Sequence, residues 1–260
     1  MIRMRTWDQA RTGRRVHQKD TFDGFVTDFI VADEAAPAQA FLVEQKPNWV
    51  TPPHFHLEHQ FQVVTAGTGS IGRHEVGPLC VHYATAETGY GPISAGPDGV
   101  TYLTMRVIPD SGAWYLHKPG SRERMRRGLK RQQEHGAPKA AVSATELKSL
   151  RAPSVEALIP PRENGLAAHL VRMPPDETFT LPAEHDHGGR FYVATGGSMR
   201  LGDAELRALS TVFASADETF SIRSGTDGLE VLVLQFSRDA LVASPPQDGS
   251  RPAPGAQENH

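Results

Sequence analysis

The sequence repeats itself. Pro-His-Phe-His at 53–56 returns as Glu-His-Asp-His at 184–187, 131 residues further on. Phe-Gln-Val-Val-Thr-Ala-Gly at 61–67 returns as Phe-Tyr-Val-Ala-Thr-Gly-Gly at 191–197, offset by 130. Ala-Gly-Pro-Asp-Gly at 95–99 returns as Ser-Gly-Thr-Asp-Gly at 224–228, offset by 129. Each of these last two is followed by a β-favouring run, VTYLTMRV (100–107) and LEVLVLQF (229–236). Three landmarks in one order at a nearly constant spacing mark a duplicated structural unit. A chain of 260 residues has room for two units of this size.

The unit is read as β. GFVTDFIVA (24–32), AFLVEQ (40–45), PLCVHYA (78–84) and VTYLTMRVI (100–108) are short runs rich in β-branched and aromatic residues. Turn residues separate them, and Pro97-Asp98-Gly99 is a turn in which Pro fixes φ and Gly accepts a positive one. Between the repeats, SRERMRRGLKR (121–131) carries six basic residues and one acid. No aromatic interleaving accompanies it and the net charge is −3, so it is read as a solvated linker helix rather than a nucleic-acid patch. Ser143-Ala-Thr-Glu146 has the form of a capping box opening a short helix.

The chemistry lies in the first landmark. In a strand, residues two apart share a face, so His54 and His56 present both imidazoles to one side. Two converging imidazoles are half of a first-row metal site; the plainer reading is a pair of hydrogen-bonded strand histidines. The single cysteine, Cys80, allows no intrachain disulfide and is read as a small buried hydrophobe. No stretch approaches eighteen consecutive apolar residues and no signal-peptide pattern opens the chain. The expectation is a cytoplasmic protein that engages neither membrane nor nucleic acid.

His54-x-His56, with Gln60 four residues on and Gly67 seven beyond that, resembles the first cupin motif, HxH followed by Glu and then Gly. With the repeat, the resemblance implies a bicupin: an all-β chain of two tandem double-stranded β-helix (jelly-roll) barrels with a helical linker. The implied organisation is an N-terminal barrel with its arm over 1–116, a basic, partly helical linker over 117–153, a C-terminal barrel over 154–243 and a disordered tail over 244–260. A cupin metal is held by the HxH pair, the Glu and a histidine from a second motif. This sequence departs at both later positions: Gln60 stands for the Glu, and Tyr90 lies near the place of the histidine.

The resemblance thus implies metal ligands His54 and His56, joined by Gln60 as a neutral oxygen donor or by Glu58 as a carboxylate an even step from His56. Two histidines and one carboxylate form the facial arrangement suited to non-haem Fe(II); Ni, Mn and Zn are the alternatives. His82 is a third nitrogen ligand, a general base or a structural residue, and Tyr90 a proton donor, a substrate anchor or a packed aromatic. Phe55, Phe61, Tyr83, Tyr90 and Tyr102 line a small-molecule pocket or belong to the core. His59 and His74 are read as solvent-exposed. In the second repeat Arg190 matches Gln60 and TFSIRS (219–224) has no histidine, so that half is read as structural or as an anion site.

The function expected first is metal-dependent, dioxygenase-type oxidation of a small organic substrate in the first half. The alternatives are a metal-independent sugar isomerase or epimerase, with His56 or His82 as base and Tyr90 as acid, and a non-catalytic binding bicupin. A homodimer is expected, since exposed strand edges tend to pair.

Overall fold

The computed structural model describes residues 1–33, 35–182 and 185–242. Glu184 of the second HxH landmark and the expected tail at 244–260 lie outside the described residues. In the first half the strands are β1 (Ile2–Arg5), β2 (Arg15–Lys19), β3 (Phe22–Ile30), β4 (Gln39–Gln45), β5 (Val50–Thr51), β6 (His54–Phe55), β7 (Gln60–Ile71), β8 (His74–Val76), β9 (Val81–Ala84), β10 (Ile93–Arg106) and β11 (Trp114–Tyr115). In the second they are β12 (Gln133–Gly136), β13 (Ser154–Ile159), β14 (Ala167–Met173), β15 (Thr178–Phe179), β16 (His187–Leu201), β17 (Ala204–Arg207), β18 (Thr211–Ala214) and β19 (Ile222–Ser237). The α-helices are single turns or little more, α1 (Trp7–Ala10) and α2 (Ala144–Ser149).

The repeat is a repeat of topology. One large sheet runs β12-β9-β7-β10-β4-β3-β2, the other β1-β18-β16-β19-β14-β13. Both centre on two long antiparallel strands, β7 with β10 and β16 with β19. The repeated spacing of glycines has a steric cause. Gly67 and Gly197 sit at φ of 70° and 63°. A Cβ on either would lie 2.2 or 2.1 Å from the carbonyl oxygen of Gly99 or Gly228 across the ladder.

The edges were not foreseen. β1, from the N-terminal arm, pairs with β18 of the second sheet, Ile2 opposite Ala214. β12, from the linker, pairs with β9 of the first sheet, Gln133 opposite Ala84. The two strands occupy equivalent positions in equivalent register, so each half contributes its leading strand to the other's sheet.

Alternation along the central strands divides their faces. Phe61, Val63, Leu103 and Met105 on one sheet meet Phe191, Val193, Leu232, Leu234 and Phe236 on the other in one buried apolar layer joining the halves. The opposite face of the second sheet is also apolar, with Tyr192, Ala194, Val231 and Val233 packed around Phe220 and Ile222. The opposite face of the first sheet is partly apolar, around Val64, Tyr90 and Tyr102, and bears the polar side chains described below. Cys80 is buried, as expected.

The linker departs from the expected solvated helix over 121–131. That stretch is a series of turns, and the linker's α-helix is α2, opened by the Ser143–Glu146 capping box. Two of its arginines are held on the body. The buried carboxylate of Glu87 accepts from Arg126 Nε at 2.5 Å and from the Arg126 main-chain N–H at 2.6 Å, and Arg131 Nε donates to the Glu87 carbonyl at 2.7 Å. Among the described residues, no helix is long and apolar enough to cross a membrane.

His59 and His74 are half-buried rather than exposed. His59 Nδ1 lies 2.7 Å from Tyr83 Oη, which lies 3.1 Å from Ser237 Oγ of the second half. His74 stacks on His135 of β12 at 3.8 Å between ring centroids, and His135 on His82 at 4.6 Å. Both ring nitrogens of His135 are buried without a hydrogen-bond partner. Burial, then the neighbouring imidazoles, hold His82 near pKa 3 and His135 near 4, below the ordinary 6.5. The unfolded chain therefore binds more protons as pH falls below 6.5, and folding stability, full above that value, declines toward pH 4 and below. His135→Phe keeps the stack and removes one titrating group, so the thermal midpoint measured across this window should fall less steeply than in the wild type. An unchanged slope would mean that His135 does not contribute.

Candidate functional site in the first half

The polar face of β7 and β10 borders a cavity of about 430 Å³. Gln60, Gln62, Tyr102, Thr104 and Arg106 line it from the central strands, His54, His56 and Tyr90 from one side, and residues 110–115 from the segment that follows β10. Main-chain pairing sets the histidines. His54 and Tyr90 exchange N–H···O bonds of 3.1 and 3.0 Å, Tyr115 of β11 lies opposite His54, and the Glu87 N–H donates to the His56 carbonyl at 2.7 Å. The two rings meet edge to face at 5.4 Å.

His54 Nδ1 lies 2.8 Å from the Pro52 carbonyl, an acceptor only, so the neutral ring carries its proton there and keeps a lone pair on Nε2. Burial, and then His56, hold its pKa near 3. Gln60 is engaged at both ends: Nε2 donates to Tyr90 Oη at 2.5 Å, and Oε1 accepts from Arg106 Nη2 at 2.8 Å. Tyr90 therefore sits in the site, bonded to Gln60, and burial raises its pKa well above the usual phenol range. His82 lies behind the wall, each ring nitrogen facing an amide oxygen, Gln62 at 2.9 Å and Gln133 at 3.3 Å. Of the aromatic residues read as candidate lining, Tyr90 and Tyr102 face the cavity. Phe61 and Tyr83 belong to the layer between the sheets, and Phe55 stacks on Trp114.

Two residues that sequence reasoning passed over dominate the electrostatics. Arg106 is 1% exposed, and its Nη2 lies 3.1 Å from His56 Nδ1 while Nη1 lies 3.1 Å from Asp110 Oδ2. Asp110 Oδ1 lies 3.0 Å from the same His56 Nδ1 and accepts from the Gly112 N–H at 3.1 Å. One imidazole nitrogen cannot both accept from Arg106 and donate to Asp110, so the two contest it. Glu58 stands beside them after a bend at 57–58, its Oε1 accepting from the Ser111 N–H at 3.1 Å. Burial, and then the Asp110 carboxylate, push the Glu58 carboxyl up to about 7.

The second half holds a guanidinium at the corresponding place with the partners exchanged. Arg190, matching Gln60, donates from Nε to Gln235, matching Arg106, at 2.8 Å. It also donates to the main-chain carbonyls of Leu181 at 2.6 Å and Pro182 at 3.0 Å. His185 is exposed, and His187 Nδ1 accepts from the Gly189 N–H at 3.0 Å.

No protein-family model matches the sequence, and no curated protein is similar to it. Solved structures are similar in fold. A proposed dioxygenase from Nostoc punctiforme superposes with a TM-score of 0.55 at 13% identity, over 96% of this chain and 84% of that one. The 11S allergen of Cocos nucifera gives 0.58 at 12% identity over 91% and 89%. Bacillus subtilis oxalate decarboxylase, in a study of its Mn(II) centres, gives 0.54 at 12% over 88% and 76%. These are cupin-fold proteins. The chain has the cupin fold. At such identities the likeness extends to the fold and not to the activity of any one of the three.

The residues beside the cavity fit a divalent ion on one side. His56, Glu58 and Asp110 each offer a ligand atom, all within 4.8 Å of one another. Glu58 Oε2 is buried with no hydrogen-bond partner, a state that ordinarily requires a compensating group. On the side of Gln60 and Tyr90, the Arg106 guanidinium already supplies the positive charge. Arg106 also carries a stability prediction. Arg106→Met leaves the Asp110 carboxylate buried without its guanidinium partner and should lower the unfolding free energy by about 3–5 kcal/mol, measured by urea denaturation. Adding Asp110→Asn should recover part of that loss.

Proposed function

We propose that the chain is a bicupin, its two sheets closing as two barrels, whose first barrel holds the active site of a divalent-metal-dependent enzyme acting on a small organic anion. Dioxygenase-type oxidation, placing both atoms of O2 in the substrate, is the reaction proposed first. The observation that carries this reading is the contrast between the halves. The inner face of the first sheet borders a cavity through Gln62, Tyr102 and Thr104, beside His54, His56, Gln60, Tyr90 and Arg106, whereas Tyr192, Val231 and Val233, which match Gln62, Tyr102 and Thr104, are packed into an apolar cluster in the second. The ion would be held by His56 and Glu58, next to His54 and beside the cavity, and would supply Lewis acidity and, as Fe(II), reactivity toward dioxygen. The chain's own groups bind and orient. The cations Lys19, Arg106 and Lys118 border the cavity against the single acid Asp110, which favours an anion. Tyr102, Trp114 and Tyr115 offer flat apolar walls. Acid–base isomerisation with His82 as base and Tyr90 as acid finds less support, because burial displaces both pKa values away from neutrality.

Metal content per chain tests the reading, with protein purified without a chelating column and supplied in turn with Fe(II), Ni(II), Mn(II) and Zn(II). The wild type should retain a stoichiometric ion. His54→Ala with His56→Ala should lose it, and His185→Ala with His187→Ala should keep it, folding being checked by circular dichroism. Retention of none of the four ions by the wild type would leave a non-catalytic binding bicupin in its place. The same reading has the protein as a homodimer, which a monomer mass by light scattering at micromolar concentration would remove.

A further inference from the structure

The positions that match the cupin motif do not converge on an open centre. Gln60 is bonded to Tyr90 and to Arg106, and the Arg106 guanidinium reaches His56. A divalent ion placed among these groups would stand against a fixed cation in a poorly screened interior. On the other side of His56 the balance reverses. Asp110 and Glu58 bring two carboxyl groups together with the one guanidinium between them and the Gln60 side. The main-chain N–H groups of Ser111 and Gly112 hold one oxygen of each carboxyl, the orienting role that outer-shell donors play around metal ligands. Glu58 is 6% exposed, and its Oε2 is left without a partner. The second half supplies a comparison. It buries the same Arg–Gln hydrogen bond, but Gly188 and Gly189 stand where Glu58 does, Asp239 at the place of Asp110 is exposed, and the guanidinium turns to main-chain carbonyls. The carboxyl pair is what the first half adds.

The geometry points to a cation site formed by His56, Glu58 and Asp110, with Asp110 a ligand from outside the motif and Gln60 not a ligand. The inference rests on the metal-dependent reading and names the atoms of that same site. One imidazole and two carboxylates form a set rich in hard oxygen donors, suited to Mn(II) and Fe(II). Arg106, paired to Asp110 on its far oxygen, orients that carboxylate and leaves a positively charged rim for an anionic substrate.

Mn(II) titrated into the metal-stripped full chain, with free ion read by electron paramagnetic resonance, gives an affinity independent of any activity. Glu58→Gln keeps the Arg106–Asp110 pair intact and should weaken Mn(II) binding by more than the roughly 10–100-fold that an outer-shell change costs. Asp110→Asn should do the same, and Asp110→Glu should restore part of the affinity. Gln60→Ala should bind Mn(II) within a few-fold of the wild type. Wild-type affinity in Glu58→Gln and Asp110→Asn, with loss in Gln60→Ala, would overturn this ligand set while leaving a metal enzyme with ligands at the motif positions. A wild type that binds none of Mn(II), Fe(II), Ni(II) or Zn(II) would overturn the metal-dependent reading and this assignment together.

Discussion

The apolar layer shared by the two sheets leaves each long strand only one face for anything else. Phe61, Val63, Leu103 and Met105 are committed to that layer, and strict alternation then sends Gln60, Gln62, Tyr102, Thr104 and Arg106 the other way. A slip of one residue in either central strand would exchange the faces, burying a guanidinium among phenylalanines. The cavity is therefore a consequence of register. The glycine pairs Gly67–Gly99 and Gly197–Gly228 help to fix that register, because neither close approach leaves space for a Cβ.

Both halves bury an arginine beside a glutamine, with the two residue types exchanged between strands. A buried guanidinium needs its donors satisfied, and the halves meet that need differently. Arg190 is satisfied by a glutamine and two main-chain carbonyls and closes its end of the second sheet. Arg106 donates to a glutamine and pairs with a carboxylate while its Nε is left without a hydrogen-bond partner, and the carboxylate draws in His56 and stands beside Glu58. The buried guanidinium thus meets main-chain carbonyls in one half and a carboxylate beside a histidine in the other.

Much of this was legible in the sequence, and the parts that were not share a cause. The duplication, the long strands and the HxH pair are local patterns with period two or with fixed glycines. The alternation in TYLTMR also placed Arg106 on the face of Tyr102 and Thr104, a signal present but not taken up. Asp110 carries no such mark, being in an irregular segment whose course depends on β11 pairing with β6. Arg126 and Arg131 read as solvated because their partner, Glu87, is distant in sequence and buried. The exchanged strands escaped for a similar reason: IRMR is only four residues long with its apolar side chains exposed, QEHG has no apolar side chain, and their place is set by an edge that another half of the chain exposes.

That exchange bears on how such a chain can come apart. Each half, taken alone, would present the bare edge of β9 or β18 while its own leading strand, built to lie against the other half, had nowhere to dock. A single unit would find the missing strand only on a second copy, and two copies would be joined arm in arm. Covalent linkage makes that encounter intramolecular and independent of concentration. Proteolysis in the linker ahead of β12 would not free two halves but leave a nicked pair still clasped at both edges.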